Sequence, residues 1–282
     1  MIIDTHVHIV PPRMINHREE IVREDRAFRE LFNNPKAKMA GVETVIEEMD
    51  RCRISKCVVS GTGYSLHKFC MESNEYILDS VSRFPDRLIG LVTVQPNAGD
   101  EAIYELERCI SAGAKGVGEV RNDLQGFNLA DNEIVRDIAA ILIRNHLVWL
   151  THTSEPVGHN YPGKGRINPE AIYPFVLQNP QLKIIMAHWG GGLPFYALMP
   201  EVKLALANVY FDTAATTFLY ERNIFRHVVS LVGASHVVFG SDFPLLKPDK
   251  VKRQMELSDL NQDEMEKIMY LNAKEIFING CQ

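Results

Sequence analysis

Short apolar, β-branched runs alternate with amphipathic stretches along the whole chain, and this alternation predicts the architecture. The first run, Ile2-Ile3-Asp4-Thr5-His6-Val7-His8-Ile9, reads as a strand stopped by Pro11-Pro12. Similar runs predict strands over 57–60, 88–94, 115–120, 147–151, 183–187, 209–213 and 236–241. The helical spacing of apolar positions predicts helices over 42–53, 73–84, 101–112, 131–145 and 169–178, one after Gly192, and two more over 219–232 and 262–277. The strands are mostly apolar throughout, as parallel strands covered on both faces are. Eight βα units in 282 residues match the count and size of an α/β fold of the (β/α)8 TIM-barrel type. No Gly-x-Gly-x-x-Gly follows the first strand, so a dinucleotide fold has no fingerprint here. No linker or compositional break divides the chain, and residues 1–282 read as one domain.

One stretch interrupts the period. Residues 13–38 are rich in charge, with Glu19-Glu20 and Arg23-Glu24-Asp25-Arg26, and predict a solvated helical insertion after the first strand. Long excursions of this kind in compact domains usually serve as lids or walls of a site.

In such a barrel the functional side chains sit where strands end. Side chains alternate along a strand, so His6 and His8 share a face, about 7 Å apart by the strand rise. The fourth strand ends in Gly118-Glu119, the fifth in Thr151-His152, the sixth in Ala187-His188 and the eighth in Gly240-Ser241-Asp242. Glu119 to His152 is 33 positions and His152 to His188 is 36, one βα unit each, and His188 to Asp242 is 54. Imidazoles and carboxylates converging on one mouth suit zinc, manganese or iron. His6, His8, Glu119, His152 and Asp242 are the expected ligands of one or two divalent ions, with zinc foremost. Glu119 can alternatively support substrate, and His188 is read as an acid/base group rather than a ligand of an outer ion. Asp242 is placed to bind metal, to take a proton from bound water, or both. Asp4, which precedes the pair, reads as structural, as does Asp212 within Val-Tyr-Phe-Asp-Thr-Ala.

Arg121 follows Glu119 by two residues, and its guanidinium matches a substrate carboxylate. His159, Lys164 and Trp189 are the other expected substrate contacts, with Glu155 and Arg166 near the same mouth. Lys164 lies in the loop Pro162-Gly163-Lys164-Gly165, and Gly190-Gly191-Gly192 after Trp189 allow close backbone approach.

The opening Ile-Asp-Thr-His-Val-His, the histidines ending the fifth and sixth strands and Gly-Ser-Asp-Phe-Pro at the eighth resemble the amidohydrolase superfamily. The resemblance is closest to its amidohydrolase-related (amidohydrolase 2) branch, whose C-terminal helix Asn272-Ala273-Lys274-Glu275-Ile276-Phe277 also resembles. It implies a metal-dependent barrel, most often hydrolytic, in a branch that also holds non-oxidative decarboxylases, lactonases and hydratases. It further implies one metal held by His6, His8, His152 and Asp242. Glu119 departs from that pattern and resembles the metal-bridging glutamate of TatD-like nucleases. The leading expectation is therefore hydrolysis of a small ester, lactone or amide, with decarboxylation of a small carboxylic acid or an inactive binding barrel as alternatives.

Composition narrows the partners. A formal charge of −6 argues against a nucleic-acid surface. Five cysteines (Cys52, Cys57, Cys70, Cys109, Cys281) lack ligand-like spacing and read as reduced thiols. The chain enters its first strand without a leader-like segment, and no apolar run nears the ~18 residues of a membrane span. A soluble cytoplasmic enzyme acting on a small, carboxylate-bearing molecule is expected, with a homo-oligomer left open.

Overall fold

The computed structural model describes residues 1–130, 133–161 and 163–279. Asp131, Pro162 and Cys281, each part of a pattern noted above, lie outside the described residues. All eight expected strands form: β1 (Ile3–His8), β2 (Lys56–Ser60), β3 (Leu88–Gly90), β4 (Gly116–Val120), β5 (Val148–Thr151), β6 (Lys183–Met186), β7 (Val209–Asp212) and β8 (Val237–Val238). They pair in chain order, all parallel, as β1-β2-β3 and β4-β5-β6-β7-β8. Parallel bridges join the two sheets at both edges, Val92 with Val117 and Val7 with Phe243. The α/β fold is thus a ring of parallel strands in TIM-barrel order.

β3 and β8 are shorter than the apolar runs suggest because other groups take their backbone bonds. The Thr93 amide donates to Asn74 Oδ1 (2.8 Å), and the Phe239 amide to the Ile268 carbonyl (2.9 Å). Asp4 is structural, as expected: its buried Oδ1 accepts from the amides of His6 (3.2 Å) and Ser241 (2.9 Å), tying β1 to the end of β8. The Asp242 amide in turn donates to the His6 carbonyl (2.9 Å), which sets Asp242 beside the histidine pair.

The insertion differs from a solvated helix. It is three short helices, Pro12–Asn16, Arg18–Glu24 and Arg26–Phe32. Met14, Ile21 and Phe28, seven residues apart, face inward and pack with Phe32, Tyr64 and Phe69. The buried Asp25 separates the last two helices, accepting from the Phe28 amide (2.8 Å) and, across the fold, from the Leu66 amide (2.9 Å). The insertion is a packed wall.

The helix expected after Gly192 is present as a 3-10 segment ending at Leu198, and an α-helix follows it at Pro200–Ala205. Just before the 3-10 segment the chain makes a left-handed kink in which Trp189 to Gly192 have φ of 59°, 63°, 58° and 91°. Gly191 is required there: a Cβ would lie 2.5 Å from the Ser154 carbonyl oxygen. Cys52, Cys57, Cys70 and Cys109 are free thiols. Among the described residues no helix is long and apolar enough to cross a membrane.

Asp25 accepts one buried and one part-buried hydrogen bond, from the Phe28 and Leu66 amides. Asp25→Ala should lower the unfolding free energy by about 1–3 kcal/mol, read as a fall in the urea midpoint at constant slope.

Candidate active site

The strand ends bring the expected donors together. His6 and His8 project from β1 with their Nε2 atoms 3.0 Å apart. Glu119 closes β4 and reaches all four histidines: Oε1 is 3.0 Å from His152 Nδ1, 3.6 Å from His188 Nε2 and 3.9 Å from His6 Nε2, and Oε2 is 3.6 Å from His8 Nε2. Asp242 Oδ1 lies 3.4 Å from His8 Nε2 and 3.8 Å from His6 Nε2. All six groups are buried. Asp242 and His188 also hold positive φ values of 67° and 57°, rare for side-chain-bearing residues and characteristic of functional sites.

Each imidazole is oriented through its other nitrogen. His6 Nδ1 donates to Asp212 Oδ2 (2.7 Å), His8 Nδ1 to the Gly61 carbonyl (3.1 Å), His188 Nδ1 to the Ala214 carbonyl (3.4 Å) and His152 Nε2 to the Lys164 carbonyl (2.9 Å). The remaining nitrogens turn towards Glu119 and Asp242. Two lone pairs 3.0 Å apart, as on His6 and His8, require a proton or a cation between them. Nitrogens each about 2.1 Å from one ion stand roughly 3.0–3.4 Å apart at ordinary coordination angles, so the pair fits a divalent metal. Two overlapping groups qualify, His6-His8-Glu119 and Glu119-His152-His188.

Charge in the cluster follows from this packing. Burial disfavours a charged His6, but Asp212, with Glu119 and Asp242, outweighs it and lifts the pKa to about 10. Burial opposes the Glu119 carboxylate, yet His152, His188 and His6 hold its pKa well below the usual value. Asp242 is likewise lowered against burial by His8, His6 and His188. His188 is raised by Glu119 and Asp242 despite burial. His152 is lowered by burial and by Arg121, against the pull of Glu119.

Asp212, read from the sequence as structural, is the residue that reading missed. The available signal was its position, an acid closing β7 between His188 and Asp242. Its Oδ1 accepts from the His188 (2.8 Å) and Ala214 (3.0 Å) amides while Oδ2 orients His6.

A cavity of about 480 Å3 opens over the cluster, reached by His8, Glu119, His152, His188 and Asp242. Arg121 lines it too: only 2% exposed, it donates through Nη2 to the Gly163 carbonyl (2.8 Å), while its buried Nε has no partner. His159 also lines the cavity. Two expected contacts are corrected. Trp189 is buried in the core, its Nε1 donating to Thr216 Oγ1 (2.9 Å) and its ring edge-on to Phe225, because the left-handed turn at 189 swings it inward. The Lys164 ammonium folds back onto the Val157 (2.8 Å) and His159 (3.1 Å) carbonyls, and the residue contributes its carbonyl to His152. Glu155 accepts from the Tyr161 hydroxyl (3.3 Å), and the Arg166 amide donates to Asp123 Oδ2 (3.1 Å). Gly165 passes so close that a Cβ would lie 2.6 Å from Asp123 Oδ2, 2.9 Å from Arg121 Nη2 and 3.3 Å from His152 Nε2.

Asp212→Asn should weaken divalent-metal binding about 10- to 100-fold, measured by chelator competition, because it loses the acceptor that orients His6. Below pH 10 a metal must displace the His6 proton, so apparent affinity should rise about tenfold per pH unit between pH 6 and 9. A flat profile would contradict the protonated His6.

The amidohydrolase family model matches residues 3–277. A 6-methylsalicylic acid decarboxylase of Penicillium expansum is 29% identical over 220 residues, covering 67% of this chain and 66% of that protein, just under two thirds of its length. A 2-amino-3-carboxymuconate-6-semialdehyde decarboxylase of Dictyostelium discoideum is 22% identical over 330 positions, covering 97% of this chain and 90% of that protein. Among solved structures, a 5-carboxyvanillate decarboxylase of Novosphingobium aromaticivorans, complexed with manganese and a nitrobenzoic acid, superposes with a TM-score of 0.78 at 17% identity, over 98% of this chain and 96% of that one. A 2,6-dihydroxybenzoate decarboxylase from Rhizobium gives 0.75 at 16% identity over 98% of both chains. At such identities the structures speak for the fold. The expectation of hydrolysis is overturned by the sequence relatives, which are decarboxylases; the His pair and strand-end acids that suggested hydrolysis serve both chemistries. With its model matched over nearly the whole length, the chain belongs to the amidohydrolase family.

Proposed function

We propose that the chain is a divalent-metal-dependent decarboxylase that removes carbon dioxide from an organic acid without an oxidant. The observation that carries this reading is that both sequence relatives are decarboxylases. The buried arginine sharing a cavity with the histidine–carboxylate cluster supports it.

His6, His8 and Asp242, with Glu119 or His152, would hold the ion, and the second group around Glu119 favours room for another. When bound, a divalent ion of zinc or manganese type supplies charge that orients substrate oxygens. Arg121 grips the acid through its unpartnered Nε, a charge-assisted bond in a dry site. His188 presents Nε2 to the same cavity, with its Nδ1 anchored on Ala214. As the bond between the carboxyl group and the substrate carbon breaks, its electron pair stays on that carbon. The carbon takes the Nε2 proton of His188, carbon dioxide leaves, and solvent returns a proton to the ring. Asp242 remains a carboxylate and balances the charge on His188.

Incubating manganese-loaded protein with a panel of hydroxylated aromatic acids in deuterium oxide should release carbon dioxide and put one deuterium on the vacated carbon. Turnover that yields no carbon dioxide would overturn the reading. His188→Gln should lower kcat on the order of 10²–10⁴-fold, the usual span for acid–base catalysis. Arg121→Ala should act mainly through KM, raising it about tenfold or more, as loss of a charged hydrogen bond does.

A further inference from the structure

The cavity is large for the chemistry at its base. A dry cavity of roughly 150 Å3 is enough for benzene, and the space here is about 480 Å3, some three times that (480/150). It falls in the range of roughly 300–1,000 Å3 that takes a drug-sized ligand and covers most of its surface. A one-ring acid held at Arg121 would leave most of the volume to water.

The polarity of the lining is graded. The ionisable groups are buried, with Asp242 at 7%, Glu119 at 4% and Arg121 at 2% exposed, and so lie deep. Large apolar side chains reach it from three loop segments, Leu31 and Phe32 from the insertion, Phe218 and Leu219 after β7, and Leu245 after β8, beside Val10 and Met39. Phe218 and Leu245 are 52% and 50% exposed although they line the cavity. Glu30, Lys36 and Lys38, the charged residues of the insertion that also border the cavity, are exposed to solvent at its rim. Large apolar side chains left in water on converging loops mark a surface that a ligand covers. The wall is fixed before any ligand arrives, because Arg26 donates to the Leu124 (Nε, 3.1 Å) and Asp123 (Nη2, 2.9 Å) carbonyls and Arg13 pairs with Glu72.

We propose that the acid this site decarboxylates carries an apolar body of at least two rings, or a chain of similar size, lying against Leu31, Phe32, Phe218, Leu219 and Leu245. This rests on the decarboxylase reading, and specifies what enters beyond the carboxyl group. Carboxylate recognition belongs to Arg121 and the buried cluster, and size selection to the three loop segments, so the two separate by substitution.

The test is calorimetric titration of the manganese-loaded full chain with benzoate and with naphthalene-2-carboxylate. The bicyclic acid should bind at least about tenfold more tightly, the gain expected from burying one further ring edge. Phe218→Ala and Leu245→Ala, both half-exposed positions that the fold does not need, should each bring the affinity ratio towards one. Equal affinity for the two acids in the wild type would overturn the size assignment alone, and so would a ratio that neither substitution changes. Failure of both acids to bind would overturn the carboxylic-acid reading beneath it, and the proposal with it.

Discussion

The buried carboxylate of Asp212 serves three parts of the molecule at once. One oxygen takes the Nδ1 proton of His6 on β1, and the other takes the amides of His188 and Ala214 at the ends of β6 and β7. A carboxylate with no exposure is costly to bury unless its lone pairs are satisfied, and here hydrogen bonds satisfy both oxygens. The same bonds turn His6 Nε2 into the site and hold the left-handed turn that presents His188. Glu119 and Asp242 lie against the two imidazoles it positions, while His8 and His152 are anchored separately on the Gly61 and Lys164 carbonyls.

The balance of charge is as constrained as the geometry. Four imidazoles and two acids meet largely buried at the base of the cavity, and lone pairs so close require protons or a cation between them. That explains why His6 binds its proton so strongly without an ion, whereas burial and Arg121 shift His152 downward. A site of this kind exchanges protons for metal, and its occupancy carries a record of the surrounding pH.

Much of this was legible in the sequence because strand ends recur at a fixed spacing. Glu119, His152 and His188 close apolar runs one βα unit apart, and the barrel order brings such ends together whatever the helices between them do. Asp212 was harder to see because its partner His6 is 206 residues away and its own run looks like plain strand. Trp189 and Lys164 were placed wrongly because residue type does not report direction: a left-handed turn sends one ring into the core, and a long flexible stem lets the other ammonium fold back. The wall at 12–32 was concealed because Met14, Ile21 and Phe28 are diluted among charges, so its apolar stripe is visible only at a spacing of seven. The bond that is broken was not legible either, because a metal with strand-end acids serves hydrolysis and decarboxylation alike.

The passage of Gly165 between Arg121, Asp123 and His152 has a bearing on how the protein can diverge. Loops at a barrel mouth are ordinarily the freest part of the fold, and this one begins at 155 in that manner, with side chains facing solvent. At 163–166 that freedom ends. The backbone itself supplies the acceptors for Arg121 and His152, and a side chain at Gly165, where φ is 71°, would have to displace Asp123 and Arg121. Changes of specificity are therefore easier to reach in the insertion and the loops after β7 and β8 than at these four residues, which hold Arg121 and His152 in place.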